Sequence, residues 1–302
     1  MTLRIKEKSF SSDGSIKYIF QNQQGNLIEG IYFRSSDRKG ISYPIYHICI
    51  STQAGCALAC AFCATGYGGF FGQLTPEEMK KEVDLIRDDL IQEGIEKETV
   101  GFCIVLMGMG EPFLNYDHVA SFCYLAKETI PRLEKIGVST VGIAPKIKEF
   151  ADVSNSIQIC MKLFISLHSP YDDQRVKIMP ITKKYSIDSI IEACQFYSSK
   201  TNSQVTASYL LLNGYNDTDQ HARDLVKLLN PKHFNAKILL FNEIPESHFQ
   251  RPSDERAYRF EEILNSEGID TVVQISKGRD VNGGCGQLVK NIHSKSKNGN
   301  LK

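Results

Sequence analysis

From about residue 45 onward, short apolar runs alternate with longer segments in which apolar residues recur every three or four positions. "YHICIS" reads as a strand and is followed by a cysteine-rich loop. A helix then opens at "TPEEMKKEVDLIRDDL", with Thr75 as N-cap, Pro76 at the first helical position and acids in the first turn. "VGFCIVLMG", "GVSTVGIA", "KLFISLH", "VTASYLLLN", "AKILLF" and "DTVVQIS" read as further strands. "YDHVASFCYLAKETI", "SIDSIIEACQFYSS", "DTDQHARDLVKLL" and "PSDERAYRFEEILNSEG" read as helices. Strands without polar alternation, set between helices, predict a parallel sheet with right-handed crossovers. The number of units fits an open or partial (β/α) barrel, whose chemistry would lie at the C-terminal strand ends. The opening residues differ, because "SIKYIF", the turn "QQGN" and "LIEGIYF" predict a β-hairpin beside the barrel. The expected organisation is an N-terminal β extension over 1–40, the barrel over 41–289 and a basic tail over 290–302.

Composition narrows the location. No apolar run approaches the roughly 20 residues of a membrane span, and the N-terminus lacks the apolar core of a signal peptide. A cytoplasmic protein without a membrane partner is expected. Nine cysteines in a reducing compartment, several of them clustered, point to metal or redox chemistry rather than disulfide stapling. The 35 basic and 35 acidic side chains cancel, so global charge gives no support to a nucleic-acid partner. Two local excesses remain: the four lysines from Lys290 to Lys302, and seven basic against four acidic groups in the first 40 residues. A solvated, frayed terminus is the simpler explanation of the tail.

The stretch "CISTQAGCALACAFCATG" holds the strongest chemical signal. Cys56, Cys60 and Cys63 have the spacing C-x3-C-x2-C, whereas a structural zinc site normally shows two C-x2-C pairs. Cys49 could supply a fourth ligand, but it lies on the predicted strand. Three thiolates on an iron–sulfur cubane leave one iron open to a chelating amine and carboxylate. "GMGEP", at the end of the next strand, adds glycines that let backbone approach a ligand. Its Glu111 could accept from an amino group.

With these motifs, the chain resembles the RlmN/Cfr family of radical S-adenosylmethionine RNA methyltransferases. The resemblance runs from about residue 10 to 290 through "SSDGSIKY", the cysteine stretch, "MGMGEPFLN", "ISLHSP", "MPITKKYSI", "LLNGYND" and "GCGQL", in family order. It implies a radical-SAM partial (β/α)6 barrel with a small N-terminal β-hairpin extension. It further implies a 4Fe–4S cluster held by Cys56, Cys60 and Cys63, and S-adenosyl-L-methionine bound by Gly110, Glu111, Ser139, Ser166, Leu167, His168 and Asn242. Cys285 resembles the cysteine that is itself methylated, Cys49 its resolving partner, and Glu29 the proton-transfer carboxylate.

The implied reaction is methylation of an sp2 carbon, carbon 2 or carbon 8, of adenosine in rRNA or tRNA. Such carbons are not nucleophilic, so a methyl group parked on Cys285 is activated by a 5′-deoxyadenosyl radical. Cys49 then releases the product by forming a disulfide, for which it must be an accessible thiolate. A donor such as flavodoxin would supply the electron. Simpler roles stand beside these: Cys285 as a small turn residue, Cys49 as a buried strand cysteine, Glu29 as a solvated carboxylate, and His168 as a backbone-satisfying side chain. Cys103, Cys123, Cys160 and Cys194 read as core, and Lys183 and Lys184 as phosphate contacts or a solvated loop. The chain reads as a short member without the helical accessory domain that usually begins the family. A small-molecule or peptide substrate, or a cluster-binding protein without turnover, are the alternative readings.

Overall fold

The computed structural model describes residues 3–35, 45–95 and 101–288. Among the described residues, the strands are β1 (Arg4–Phe10), β2 (Ile16–Gln21), β3 (Leu27–Ser35), β4 (Ile45–Ile50), β5 (Gln53–Gly55), β6 (Phe70–Gln73), β7 (Gly101–Leu106), β8 (Leu133–Thr140), β9 (Cys160–Ser166), β10 (Val205–Leu211), β11 (Phe234–Leu240) and β12 (Thr271–Gln274). Ten of them make one sheet in the order β1-β2-β3-β4-β7-β8-β9-β10-β11-β12. Neighbours are antiparallel from β1 to β4 and parallel from β4 to β12. β5 and β6 pair separately, beside the cysteine loop. The helices are α1 (Ala64–Gly68), α2 (Pro76–Gln92), α3 (Tyr116–Thr129), α4 (Ala144–Ser156), α5 (Asp172–Ile178), α6 (Ile187–Thr201), α7 (Asp219–Leu228) and α8 (Asp254–Ser266). This is the radical-SAM α/β architecture expected from the resemblance.

Local sequence explains the elements that position the site. At α2, Thr75 Oγ1 accepts from Glu78 N at 3.2 Å while Thr75 N donates to Glu78 Oε2 at 2.9 Å, a reciprocal cap with Pro76 behind it. Met79, Val83, Ile86 and Leu90 then fall on one face and are fully buried. On β11, Phe234, Ala236, Ile238 and Leu240 are buried against helices, whereas Asn235, Lys237 and Leu239 face the half-open concave side. Strand register sets a row of side chains across that concave side: Lys17, Ile31, Cys49, Val105, Gly137 and Lys162 lie opposite one another in turn.

Three expectations change. The hairpin is the second half of a three-stranded antiparallel meander continuous with the main sheet. β1 escaped notice because "RIKEKSF" is mostly polar and gains its conformation from pairing with β2. Helix α4 was not foreseen: Ile143 gives it no side-chain cap, although Pro145 and the spacing of Ile147, Phe150, Ala151 and Ser154 mark it. Cys160, expected in the core, is exposed at the start of β9, while Cys103, Cys123 and Cys194 are buried. The basic tail, Lys290–Lys302, lies outside the described residues. Among those described, no helix is long and apolar enough to cross a membrane.

Candidate active site

The cysteine loop leaves β5 at Gly55, whose φ is +79° and whose Cβ would sit 1.9 Å from the Gly69 carbonyl oxygen. No other residue fits there, and the closeness lets Cys56 N donate to Gly69 O at 2.8 Å. Cys63 N donates to Cys60 O at 3.1 Å, and Ala61 N ties the loop to Ile178 O at 2.9 Å. Phe62 stands edge-on to His168 with ring centroids 4.9 Å apart. Burial pushes the Cys56 thiol up to about 11 and Cys60 well above its ordinary value, and charge on Cys63 adds to both. The Cys56 and Cys60 thiols therefore ionise readily only beside a strong positive charge. Among the described residues, no three His, Cys, Asp or Glu side chains converge as ligands of a single ion. A cluster with iron at several separated corners is the group this donor set fits.

The "GMGEP" turn packs under the loop. A Cβ on Gly108 would lie 2.7 Å from Ile50 O, and one on Gly110, at φ +96°, would lie 2.5 Å from Gln53 Cβ. Gln53 Oε1 in turn accepts from Glu111 N at 2.8 Å. The Glu111 carboxylate accepts from Thr140 Oγ1 at 2.6 Å, Phe113 N at 3.0 Å and Val141 N at 2.9 Å. Burial outweighs these bonds and raises it to about 7. With about four acceptor positions on a carboxylate, roughly one is left for an outside donor. Glu111 therefore pins the strand ends.

Ser139 is the last residue but one of β8, and Ser166 ends β9 with Leu167 and His168 beyond it. His168 holds φ at +59°, and its Nδ1 accepts from Leu210 N at 3.0 Å. Burial brings its pKa down to about 3, so it is neutral. One ring nitrogen therefore satisfies backbone. Arg175 was missed by the sequence reading and underlies all of these strand ends. It donates to Leu167 O (2.9 Å), Ser166 O (2.9 Å), Val141 O and Thr182 Oγ1 (2.7 Å) from a fully buried position. No local pattern marks a buried arginine in "DDQRVKI"; its position one helix beyond "SLHSP" was the available hint.

Asn242 holds Cys285, and strand register sets Cys49 and Glu29 on one face of the sheet. Asn242 Nδ2 donates to Cys285 O at 3.1 Å and to Ser276 Oγ at 2.9 Å. Gly284 leaves room for this, since a Cβ there would lie 2.7 Å from that nitrogen. Ala64 N donates to Gly286 O at 2.8 Å, joining the cluster loop to "GCGQL". Cys285 is exposed at the mouth of the barrel, yet surrounding protein still raises its thiol, countered by the nearby Lys237 ammonium and reinforced by Cys63. Cys49, by contrast, is buried, and burial followed by charge on Cys285 raises its thiol strongly. The accessible thiolate expected at Cys49 is thus absent in this arrangement, where the side chain is buried within the sheet between β3 and β7. Glu29 is likewise no solvated carboxylate: it is 2% exposed, with its Oε2 2.9 Å from Lys17 Nζ.

A barrel of this topology with a three-thiol loop at its C-terminal end defines a radical-SAM enzyme, and the Radical SAM superfamily model matches residues 50–229. A "Probable dual-specificity RNA methyltransferase RlmN" of Alkaliphilus oremlandii (strain OhILAs) is 37% identical over 295 residues, covering 95% of this chain and 79% of that one. "Dual-specificity RNA methyltransferase RlmN 2" of Myxococcus xanthus (strain DK1622) is 35% identical, covering 92% and 71%. The crystal structure of a radical SAM methyltransferase from Sphaerobacter thermophilus superposes with a TM-score of 0.84 at 36% identity, covering 94% of this chain and 80% of that one. The chain belongs to the RlmN family of radical-SAM methyltransferases. It is an enzyme whose cofactors are a 4Fe–4S cluster and S-adenosylmethionine.

Proposed function

We propose that the chain methylates an sp2 carbon of adenosine in RNA through a methyl group carried on Cys285. The observation that carries this reading is the place of Cys285. It hangs on Asn242, lies near Cys63 of the cluster loop, and is close enough to Cys49 for its charge to raise the Cys49 thiol. Cys56, Cys60 and Cys63 hold the cluster, while Gly110, Glu111, Ser139, Ser166, Leu167, His168 and Asn242 line the cofactor side. The bound cofactors supply the methyl group and, after one-electron reduction by a donor such as flavodoxin, the hydrogen-abstracting radical. Glu29 takes the proton from the substituted ring carbon, and the unpaired electron left on the adduct returns to the redox partner that supplied it, leaving a closed-shell thioether between Cys285 and the base. Cys49 loses its own proton and attacks the Cys285 sulfur. The sulfur–methylene bond breaks, its electron pair passes to the methylene carbon, and a proton completes the methyl group. The two sulfurs remain as a disulfide, reset by a cytosolic reductant. The RNA reading is supported by the names of the relatives. Anaerobic reconstitution with labelled methyl donor and total RNA, followed by nucleoside mass spectrometry, tests it: methyladenosine is expected, and label confined to small molecules or peptides contradicts it.

A further inference from the structure

The segment leading to Cys285 hangs from the N-terminal strands. Asp13 Oδ2 accepts from Gly278 N at 3.0 Å, and Asp280 accepts from Ser11 Oγ and, at 2.9 Å, from Ser12 N. These contacts join one surface turn to another. A further one differs in kind: Lys17 Nζ donates to Asn282 O at 3.0 Å while lying 2.9 Å from Glu29 Oε2. The two charged side chains are only 10% and 2% exposed. Burying a pair this deeply loses hydration that mutual attraction barely returns, so stability alone does not explain it.

We infer that Lys17 is a positioning residue of the reaction, its ammonium fixing the Glu29 carboxylate and the Cys285 loop to one point on the concave face. The inference rests on the roles proposed above for Glu29 and Cys285. Register supplies the geometry. Lys17 lies opposite Ile31, diagonal to Glu29, and Ile31 lies opposite Cys49, so all present side chains to one face. Asn282 precedes Cys285 by three residues, so proton acceptor and methyl carrier share one cation. When Glu29 takes the substrate proton, its charge is neutralised and the attraction holding Lys17 falls. The loop is then freer to present the Cys285 sulfur to Cys49, which is the step that follows.

Lys17→Met keeps the apolar stem and removes the charge; Lys17→Arg restores a cation. Hydrogen exchange on the reconstituted enzyme should accelerate about tenfold or more in peptides spanning 278–288 of Lys17→Met, with α6–α8 unchanged and Lys17→Arg close to wild type. Unchanged exchange in 278–288 overturns the inference, whatever the substrate. In single turnovers, Lys17→Met should methylate Cys285 within about twofold of wild type. Transfer to RNA should slow about tenfold or more in kcat, with KM within about threefold. Wild-type transfer, or equal loss of both half-reactions, also overturns it. Wild-type enzyme that methylates Cys285 but no RNA defeats the substrate reading alone, and the exchange result still decides the role of Lys17.

Discussion

Replacing Arg175 by methionine is expected to loosen the whole cofactor side of the barrel. The guanidinium is fully buried and bonds the carbonyls of Val141, Ser166 and Leu167 and the Thr182 hydroxyl. Burial lowers its pKa to about 10, which leaves it charged at neutral pH. Hydrogen bonds to a charged group contribute roughly 1.5–3 kcal/mol each, but members of one network do not add. Three orphaned carbonyls and a lost cation together cost about 3–5 kcal/mol, the range seen when a buried charged network is broken. Against a typical stability of about 5–15 kcal/mol, that is a large fraction. In a chain of this size it corresponds to a fall in melting temperature of roughly 6–15 °C. Anaerobic urea unfolding of wild type, Arg175→Met and Arg175→Lys measures it, with the lysine variant intermediate. Because the freed carbonyls belong to Val141, Ser166 and Leu167, the KM for S-adenosylmethionine should rise about tenfold in whatever folds. A methionine variant within about 1 kcal/mol of wild type would refute the reasoning.

Further outcomes follow from other residues of the site. Glu111 has a folded-state pKa of about 7 against an ordinary 4.5, so folding favours its protonated form. Its contribution to stability is therefore full below pH 4.5 and falls by roughly 3 kcal/mol as pH rises to about 7. In the metal-free protein, the difference between wild type and Glu111→Gln should show that slope, and parallel stability–pH curves would contradict it. Gly110→Ala should lose about 1–3 kcal/mol or more, because a Cβ at φ +96° meets Gln53 Cβ at 2.5 Å; unfolding at the wild-type midpoint would show that the turn adjusts. Asn242→Ala should slow methylation of Cys285 about tenfold by releasing its carbonyl, read by mass spectrometry of the protein.

Much of the site was legible because its chemistry is local. Three cysteines at C-x3-C-x2-C on a glycine-flanked loop favour a cluster over a four-cysteine zinc site by their spacing, and helix α2 is marked by a cap, a proline and a periodic face within one stretch. What stayed hidden depends on partners distant in sequence. Nothing near Asn242 tells that its amide holds the Cys285 carbonyl, 43 positions away. Alternation along β2 and β3 does place Lys17 and Glu29 on one face, but only the folded chain buries them together. β1 is a strand through its partner rather than its own pattern, and Cys160 is exposed because β9 begins beyond the edge of the core. Cys49 illustrates both sides: its strand position and burial were readable, whereas its nearness to Cys285 was not.

The central claim is that Cys285 carries the methyl group and Cys49 releases the product. It is tested most directly by incubating wild type, Cys49→Ala and Cys285→Ala anaerobically with labelled methyl donor and RNA, then separating protein under denaturing conditions. The account predicts that only Cys49→Ala retains a covalent RNA–protein species, with label between Cys285 and an adenosine. Unimpaired turnover in either variant, or no adduct in Cys49→Ala while wild type methylates RNA, would contradict it.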